Sequence, residues 1–156
     1  MLARVAGLFS MRGYNIESLC VGETEDPTVS RMTVVVSGDD RVLQQTVKQL
    51  NKLVEVIEVI DLTQSDFVER ELVLVKIGAG AARRGEVIQI ANIFRARIVD
   101  IASEAMITEV TGTRAKVRAF IDMMRPFGIQ EVVRTGRVAI SRSPKENGSV
   151  AEEAVG

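Results

Sequence analysis

The eight residues Arg12-Gly13-Tyr14-Asn15-Ile16-Glu17-Ser18-Leu19 mark a passage from helix to strand, and the rest of the chain is read outward from them. Ahead of them Leu2, Val5, Ala6 and Phe9 recur at i, i+3, i+4 and i+7, which gathers apolar side chains on one helical face. Behind them residues 16–21 alternate as a half-buried strand does. Gly13 suits the helix end, because glycine enters the left-handed region without a side-chain clash. Asn15 then stands just past that end, with a donor and an acceptor where helix termini leave backbone groups unpaired. It is a candidate for holding a small polar ligand; the plainer role for an asparagine there is a turn that satisfies its own backbone.

Downstream, Pro27 punctuates a loop at residues 23–28, and residues 31–37 read as a strand. Asp39 or Asp40 can cap a helix carrying Leu43, Val47 and Leu50 on one face. Residues 54–61 are β-branched and alternating and predict a strand, and the polar stretch after them predicts a linker. The pattern then starts again. Residues 72–77 form a continuous apolar run expected of a central strand, and a glycine-bearing loop leads to a helix with Val87, Ile90, Ala91 and Phe94 on one face. Strands at 98–102 and 106–111, a helix with Val117, Phe120, Ile121 and Met124, and a last strand at 130–134 complete it.

The two halves superpose by arithmetic. Gly38 maps onto Gly112 (112 − 38 = 74), and the same shift carries Met32 to Met106, Val36 to Val110, Leu43 to Val117, Val47 to Ile121 and Leu50 to Met124. A shift of 85 carries Leu2, Val5, Ala6 and Phe9 to Val87, Ile90, Ala91 and Phe94. An internal duplication is the simplest account. Each copy reads as strand, helix, strand, strand, helix, strand, so the expected fold is α+β with two tandem ferredoxin-like (βαββαβ) domains. The first copy opens on its helix, without the strand that is central in this topology. Loss of that strand would leave buried sheet edges with unpaired backbone groups, so a strand and loop are expected upstream of Met1. The expected domains are 1–62 and 69–141, joined by a linker at 63–68 and followed by a disordered tail at 142–156 that lacks periodic apolar content.

Composition narrows the function. Acids and bases nearly balance, 21 against 20, so no net basic surface attracts nucleic acid. One tyrosine and five phenylalanines are few for stacking bases. The apolar runs are short and broken by charge, so neither a membrane span nor a signal peptide is expected. Cys20 is the sole cysteine, which excludes an internal disulfide and fits a reducing, cytoplasmic setting. There is no histidine, which removes imidazole acid-base catalysis, Ser-His-Asp and Cys-His arrangements and His-ligated metals. Neither catalytic residues nor a metal or cofactor site is expected.

Two further stretches carry charge in a suggestive place. Gly78, Gly80 and Gly85, with Arg83 and Arg84, stand ahead of a helix start where a phosphate is welcome, but their spacing departs from the GxGxxG and P-loop templates. A mobile loop is the plainer reading. Arg134-Thr135-Gly136-Arg137-Val138-Ala139-Ile140 can present guanidinium groups to an anion, or can be a bulged last strand with solvated charges.

Six blocks in order carry a resemblance: Arg4-Val5-Ala6-Gly7-Leu8-Phe9-Ser10, residues 12–19, Ser30-Arg31-Met32-Thr33, Lys48-Gln49-Leu50-Asn51-Lys52-Leu53, Val68-Glu69-Arg70-Glu71-Leu72 and Arg134-Thr135-Gly136-Arg137-Val138-Ala139. Together they resemble the small, regulatory subunit of acetolactate synthase. The resemblance implies an amino-terminal ACT domain, here without its first strand, and a second, ACT-like domain. It implies a non-catalytic chain that binds the thiamine diphosphate-dependent catalytic (large) subunit, raises its activity and confers feedback inhibition by valine. It also implies a homodimer whose effector lies between two amino-terminal domains, against Asn15 and Ile16 of one chain and the helix start at Leu2 of the other. The rival readings are a duplicated ferredoxin-like protein that binds another small metabolite or only a protein partner, an enzyme using the glycine-bearing loop for a phosphorylated substrate, and an RNA-binding module of the same topology.

Overall fold

The computed structural model describes residues 2–13 and 15–143. The first half runs α1 (Leu2–Arg12), β1 (Asn15–Glu23), β2 (Ser30–Ser37) and α2 (Asp40–Asn51). The second runs β3 (Phe67–Ile77), α3 (Arg84–Ile93), β4 (Arg97–Ile101), β5 (Met106–Gly112), α4 (Arg114–Met124), a 3-10 turn at Arg125–Phe127, β6 (Ile129–Arg134) and β7 (Val138–Ser141).

The second half has the split βαβ arrangement. Its strands lie in the order β4-β5-β3-β6, all antiparallel, with β3 in the middle. Val73, Val75 and Ile77 alternate inward from β3, and α3 and α4 cover that face with Val87, Ala91, Val117, Phe120, Ile121 and Met124. Phe94 and Phe120 meet edge to face with centroids 5.5 Å apart. Beyond β6 the chain turns through Thr135 and Gly136, and β7 continues along β3, pairing Ser141 with Phe67 and Val138 with Arg70. The Thr135 side chain bridges the gap: Leu72 N–H donates to its Oγ1 (3.1 Å), while its own N–H donates to Leu72 O (3.1 Å).

The expected linker is therefore shorter, since Phe67 and Val68 already belong to β3. Part of the expected disordered tail also has a place. Arg142 N–H donates to Asp66 O (2.9 Å), and the Arg142 guanidinium pairs with the Asp66 carboxylate (3.3 Å). Residues 144–156 of that tail lie outside the described residues.

The internal repeat is reproduced in three dimensions. Both β2 and β5 run through a glycine into a capped helix 74 residues apart. Asp39 accepts from Val42 N–H at the start of α2, and Thr113 accepts from Lys116 N–H at the start of α4. A methyl group on Gly38 would meet Val42, and one on Gly112 would meet Lys116, the residues at the same shift.

The first half differs from the second in its sheet. β1 and β2 form a two-stranded antiparallel ladder, covered by α1 through the buried Val5 and Phe9. Residues 54–61, predicted as a strand, form no ladder, and Val54 and Ile57 are 94% and 80% exposed. The reason lies in the topology. In the second half the last strand, β6, pairs only with β3, and among the described residues the first half has nothing in the place of β3. β-branched residues provide the propensity for a strand, but a strand also needs a neighbour with which to exchange hydrogen bonds. The segment is held instead by an ion pair from α1, Arg4 to Glu55 at 2.5 Å.

Candidate functional site

The junction chosen from sequence forms as a helix end. Gly13 takes φ +69°, the left-handed conformation expected of it. Asn15 does not remain in a loop; it opens β1 opposite Ser37, exposed, and Ile16 follows opposite Val36, half-buried. Leu2 begins α1, and its side chain lies outside the described residues. Leu2 and the Asn15-Ile16 pair thus stand at opposite ends of one helix, roughly 16 Å apart at 1.5 Å per residue. One chain does not bring them together.

Immediately after Ile16 the ladder slips. Ile16 faces Val36 and Ser18 faces Val35, so Glu17 is an extra residue with no opposite number. Such a bulge re-aims the side chain it carries. The Glu17 carboxylate leaves the sheet and reaches the second half. It accepts from Ser37 Oγ (2.6 Å) and pairs with Arg114 at the start of α4 (3.5 Å) and with Arg137 beyond β6 (3.6 Å). The Ser37 hydrogen bond, with the two guanidinium charges behind it, holds the Glu17 carboxyl below its ordinary value, against a smaller opposing effect of burial.

Around this contact lies a cleft of about 700 Å³ between the halves. One wall is β1 at Glu17, Ser18 and Leu19, and another is the arginine-bearing face of α4. The turn at Thr135, Gly136 and Arg137 closes it. Gly136, at φ +84°, packs so closely on β1 that an added Cβ would lie 3.3 Å from Ser18 Cβ. The run from Arg134 is thus neither a continuous strand nor a row of wholly solvated charges. Arg134 pairs with the buried Glu71 at 2.6 Å, and Arg137 pairs with Glu69 at 2.7 Å.

The glycine-bearing loop is built for packing. A Cβ on Gly78 would come within 3.0 Å of the Gln130 side chain, and one on Gly80 within 3.1 Å of Glu104. Arg83 donates to Pro126 O (3.1 Å) and lies over the Phe127 ring (4.2 Å), while Arg84 donates to the carbonyls of Ala102 and Ser103. Both guanidinium groups are occupied by their own chain rather than turned toward a ligand. Among the described residues no group of three or more His, Cys, Asp or Glu side chains is placed to hold a metal, and no helix is long and apolar enough to cross a membrane.

Sequence reasoning singled out Asn15 and Ile16 but not their neighbours Glu17 and Ser18, nor Arg114 and Arg118 on α4. A signal for the arginines was present. Arg114, Arg118 and Arg125 recur at i, i+4 and i+11, spacings that share one helical face. The bulge at Glu17 has no comparable mark, because it depends on the register chosen with β2.

Two ferredoxin-like units in tandem, joined by ion pairs, are an arrangement of the ACT type. Residues 1–58 match the family model described as the AHAS small subunit-like ACT domain, and residues 70–143 match the small subunit of acetolactate synthase. The chain belongs to the acetolactate synthase small-subunit family, the regulatory subunits built on an ACT domain. It is 57% identical over 146 residues to the probable acetolactate synthase small subunit of Archaeoglobus fulgidus, covering 94% of this chain and 91% of that relative. It is 46% identical over 149 residues to the acetolactate synthase small subunit of Mycolicibacterium smegmatis, covering 96% and 88%. The crystal structure of the acetolactate synthase small subunit from Thermotoga maritima superposes with a TM-score of 0.83 at 42% identity, over 92% of this chain and 90% of that one.

Proposed function

We propose that this chain is the regulatory, non-catalytic subunit of acetolactate synthase in branched-chain amino acid biosynthesis. It binds the thiamine diphosphate-dependent catalytic subunit in the cytoplasm, raises its activity and makes it sensitive to valine. The observation that carries this reading is the family match to both halves of the chain, an ACT domain first and a small-subunit domain second.

The effector site in this reading is shared by two copies of the chain. Leu2 and the Asn15-Ile16 pair lie at opposite ends of α1, so a single ligand touching both needs the helix start of one chain and the β1 start of another. A free amino acid suits such a place: N–H groups at a helix start take its carboxylate, the Asn15 amide takes a polar group, and Ile16 meets the branched side chain. Inhibition follows if valine binds one arrangement of the dimer better than another, and the coupling is reciprocal. The working domains are the expected 1–62 and 69–141, the second widened to 66–142 by the pairing of Phe67 and Val68 in β3 and of Asp66 with Arg142.

The test is calorimetric titration of L-valine into the chain and into a form extended ahead of Leu2 by an apolar strand and loop, each alone and with the catalytic subunit. Valine binding by the extended form, with valine-sensitive activation of the catalytic subunit, is the expected result. Activation without valine binding by either form removes valine as the effector and leaves a chain that serves only its protein partner. Failure to bind the catalytic subunit overturns the regulatory reading itself.

A further inference from the structure

The cleft between the halves collects five guanidinium groups against three carboxylates. Its carboxylates are already engaged. Glu71 holds Arg134 at 2.6 Å, Asp122 holds Arg125 at 3.1 Å, and Glu17 is divided between Arg114 at 3.5 Å and Arg137 at 3.6 Å. Arg137 has a shorter contact to Glu69, 2.7 Å, just outside the cleft. Arg118 is left over. It lines the cleft and has neither an ion pair nor a hydrogen bond among the described residues.

The arrangement is directional. Arg114 and Arg118 are one turn apart on α4, roughly 6 Å along its axis, and Arg125 follows two turns further on the same side. Across from them, β1 brings Ser18 to the cleft, its hydroxyl oxygen buried and without a hydrogen-bond partner among the described residues. A guanidinium offers a planar fork of donors that matches a phosphate or carboxylate in bidentate fashion. Clustered like charges repel, so an incoming anion relieves repulsion as well as making hydrogen bonds.

We propose that this cleft binds a small, multiply charged anion, one bearing two or more phosphate or carboxylate groups, anchored by Arg118 and flanked by Arg114 and Arg125. The site is separate from Asn15 and Ile16, neither of which lines the cleft, and it does not depend on valine being the effector. The bound anion touches α4 of one half and faces β1 of the other. It also competes with Glu17 for Arg114, and so acts on the contact that joins the halves.

The experiment is isothermal titration of the full chain with tripolyphosphate and, separately, with citrate, at low and at moderate salt. The expected result is saturable binding of at least one anion, weakened by added salt. Arg118→Ala should weaken it by roughly tenfold or more, the effect of losing one charge-assisted contact. Because Arg118 has no ion pair or hydrogen bond among the described residues, that variant should melt as the parent does. Arg118→Lys should restore part of the affinity. Arg97→Ala removes an exposed arginine of β4 away from the cleft and should change nothing. Preference between the two ligands separates a phosphate site from a carboxylate site. Equal losses for Arg118→Ala and Arg97→Ala would show diffuse charge attraction and overturn the proposal. So would the absence of binding by either anion, whether or not Arg118→Ala weakens association with the catalytic subunit; weaker association alone would assign the face to an acidic protein segment instead.

Discussion

Glu17 and Arg137 lie 3.6 Å apart across the join between the two halves of the chain. The contact exists because a bulge in β1 turns Glu17 out of its ladder and Gly136, at φ +84°, turns the chain back beside it. Glu17→Gln keeps the shape and removes the charge shared by Arg114 and Arg137. The expected cost is about 0.5–1 kcal/mol, the range of partly exposed ion pairs. Urea unfolding at pH 7 measures it.

The same carboxylate makes that cost depend on pH. Its folded pKa is lowered, chiefly by the Ser37 hydrogen bond and further by Arg114 and Arg137. A lowered pKa means that the folded state binds this proton less readily than the unfolded one, so the stabilisation is full above the ordinary value of 4.5. It is lost as pH falls from there through the folded value. Unfolding curves of the parent and Glu17→Gln should therefore differ at pH 7 and converge under acid conditions. A gap that stayed constant across this range would show that the carboxylate charge is not what joins the halves.

Arg134→Ala should cost more than Glu17→Gln. Glu71 is only 5% exposed, and Arg134 meets it at 2.6 Å, so removal of the guanidinium leaves a buried carboxylate without its counter-charge. Arg134 is itself 48% exposed, and water can enter where it stood, which brings the expected loss to about 1–3 kcal/mol. The double variant Glu71→Met/Arg134→Met should recover much of that, because it removes both charges together. Denaturant midpoints of the parent and the two variants decide the matter.

Elements with a strong internal period were legible in the sequence. The apolar face of α4 at Val117, Phe120, Ile121 and Met124 is buried as its spacing predicts, and the chemistry of Gly13 and Asp39 placed a left-handed helix end and a cap correctly. What was hidden depends on partners distant in sequence. The bulge at Glu17 arises from how β1 registers on β2, and the path of Arg134 and Arg137 arises from one backbone angle at Gly136. Leu2 stands in the expected helix, whereas Asn15, expected in the turn after it, already opens β1 because its backbone pairs with Ser37.

The paired caps give a prediction that uses the duplication. Asp39→Ala and Thr113→Ala each remove a side-chain acceptor from the first turn of a helix, from Val42 N–H and Lys116 N–H respectively. Each should cost about 1 kcal/mol. The caps serve equivalent helices in different halves and share no partner, so the double variant should show the sum within about 0.5 kcal/mol. Thermal melts of the four proteins measure this directly, and strong non-additivity would mean that the halves fold as one tightly coupled unit.

Residues 54–61 separate propensity from structure most sharply. If they were a strand with its apolar face packed on a core, Val54 and Ile60 would share that face, and Val54→Ser and Ile60→Ser would each open a cavity and strand a hydroxyl, costing about 2 kcal/mol or more. In the fold observed, both side chains face solvent and the segment pairs with no strand, so each change should stay within about 0.5 kcal/mol. Amide exchange gives an independent reading of the same point. The amides of β3, with β5 on one side and β6 and β7 on the other, should exchange slowest in the chain, whereas those at 57–61 should exchange near the rate of an unpaired backbone. Slow exchange at 57–61 would show that this stretch has found a hydrogen-bonding neighbour after all.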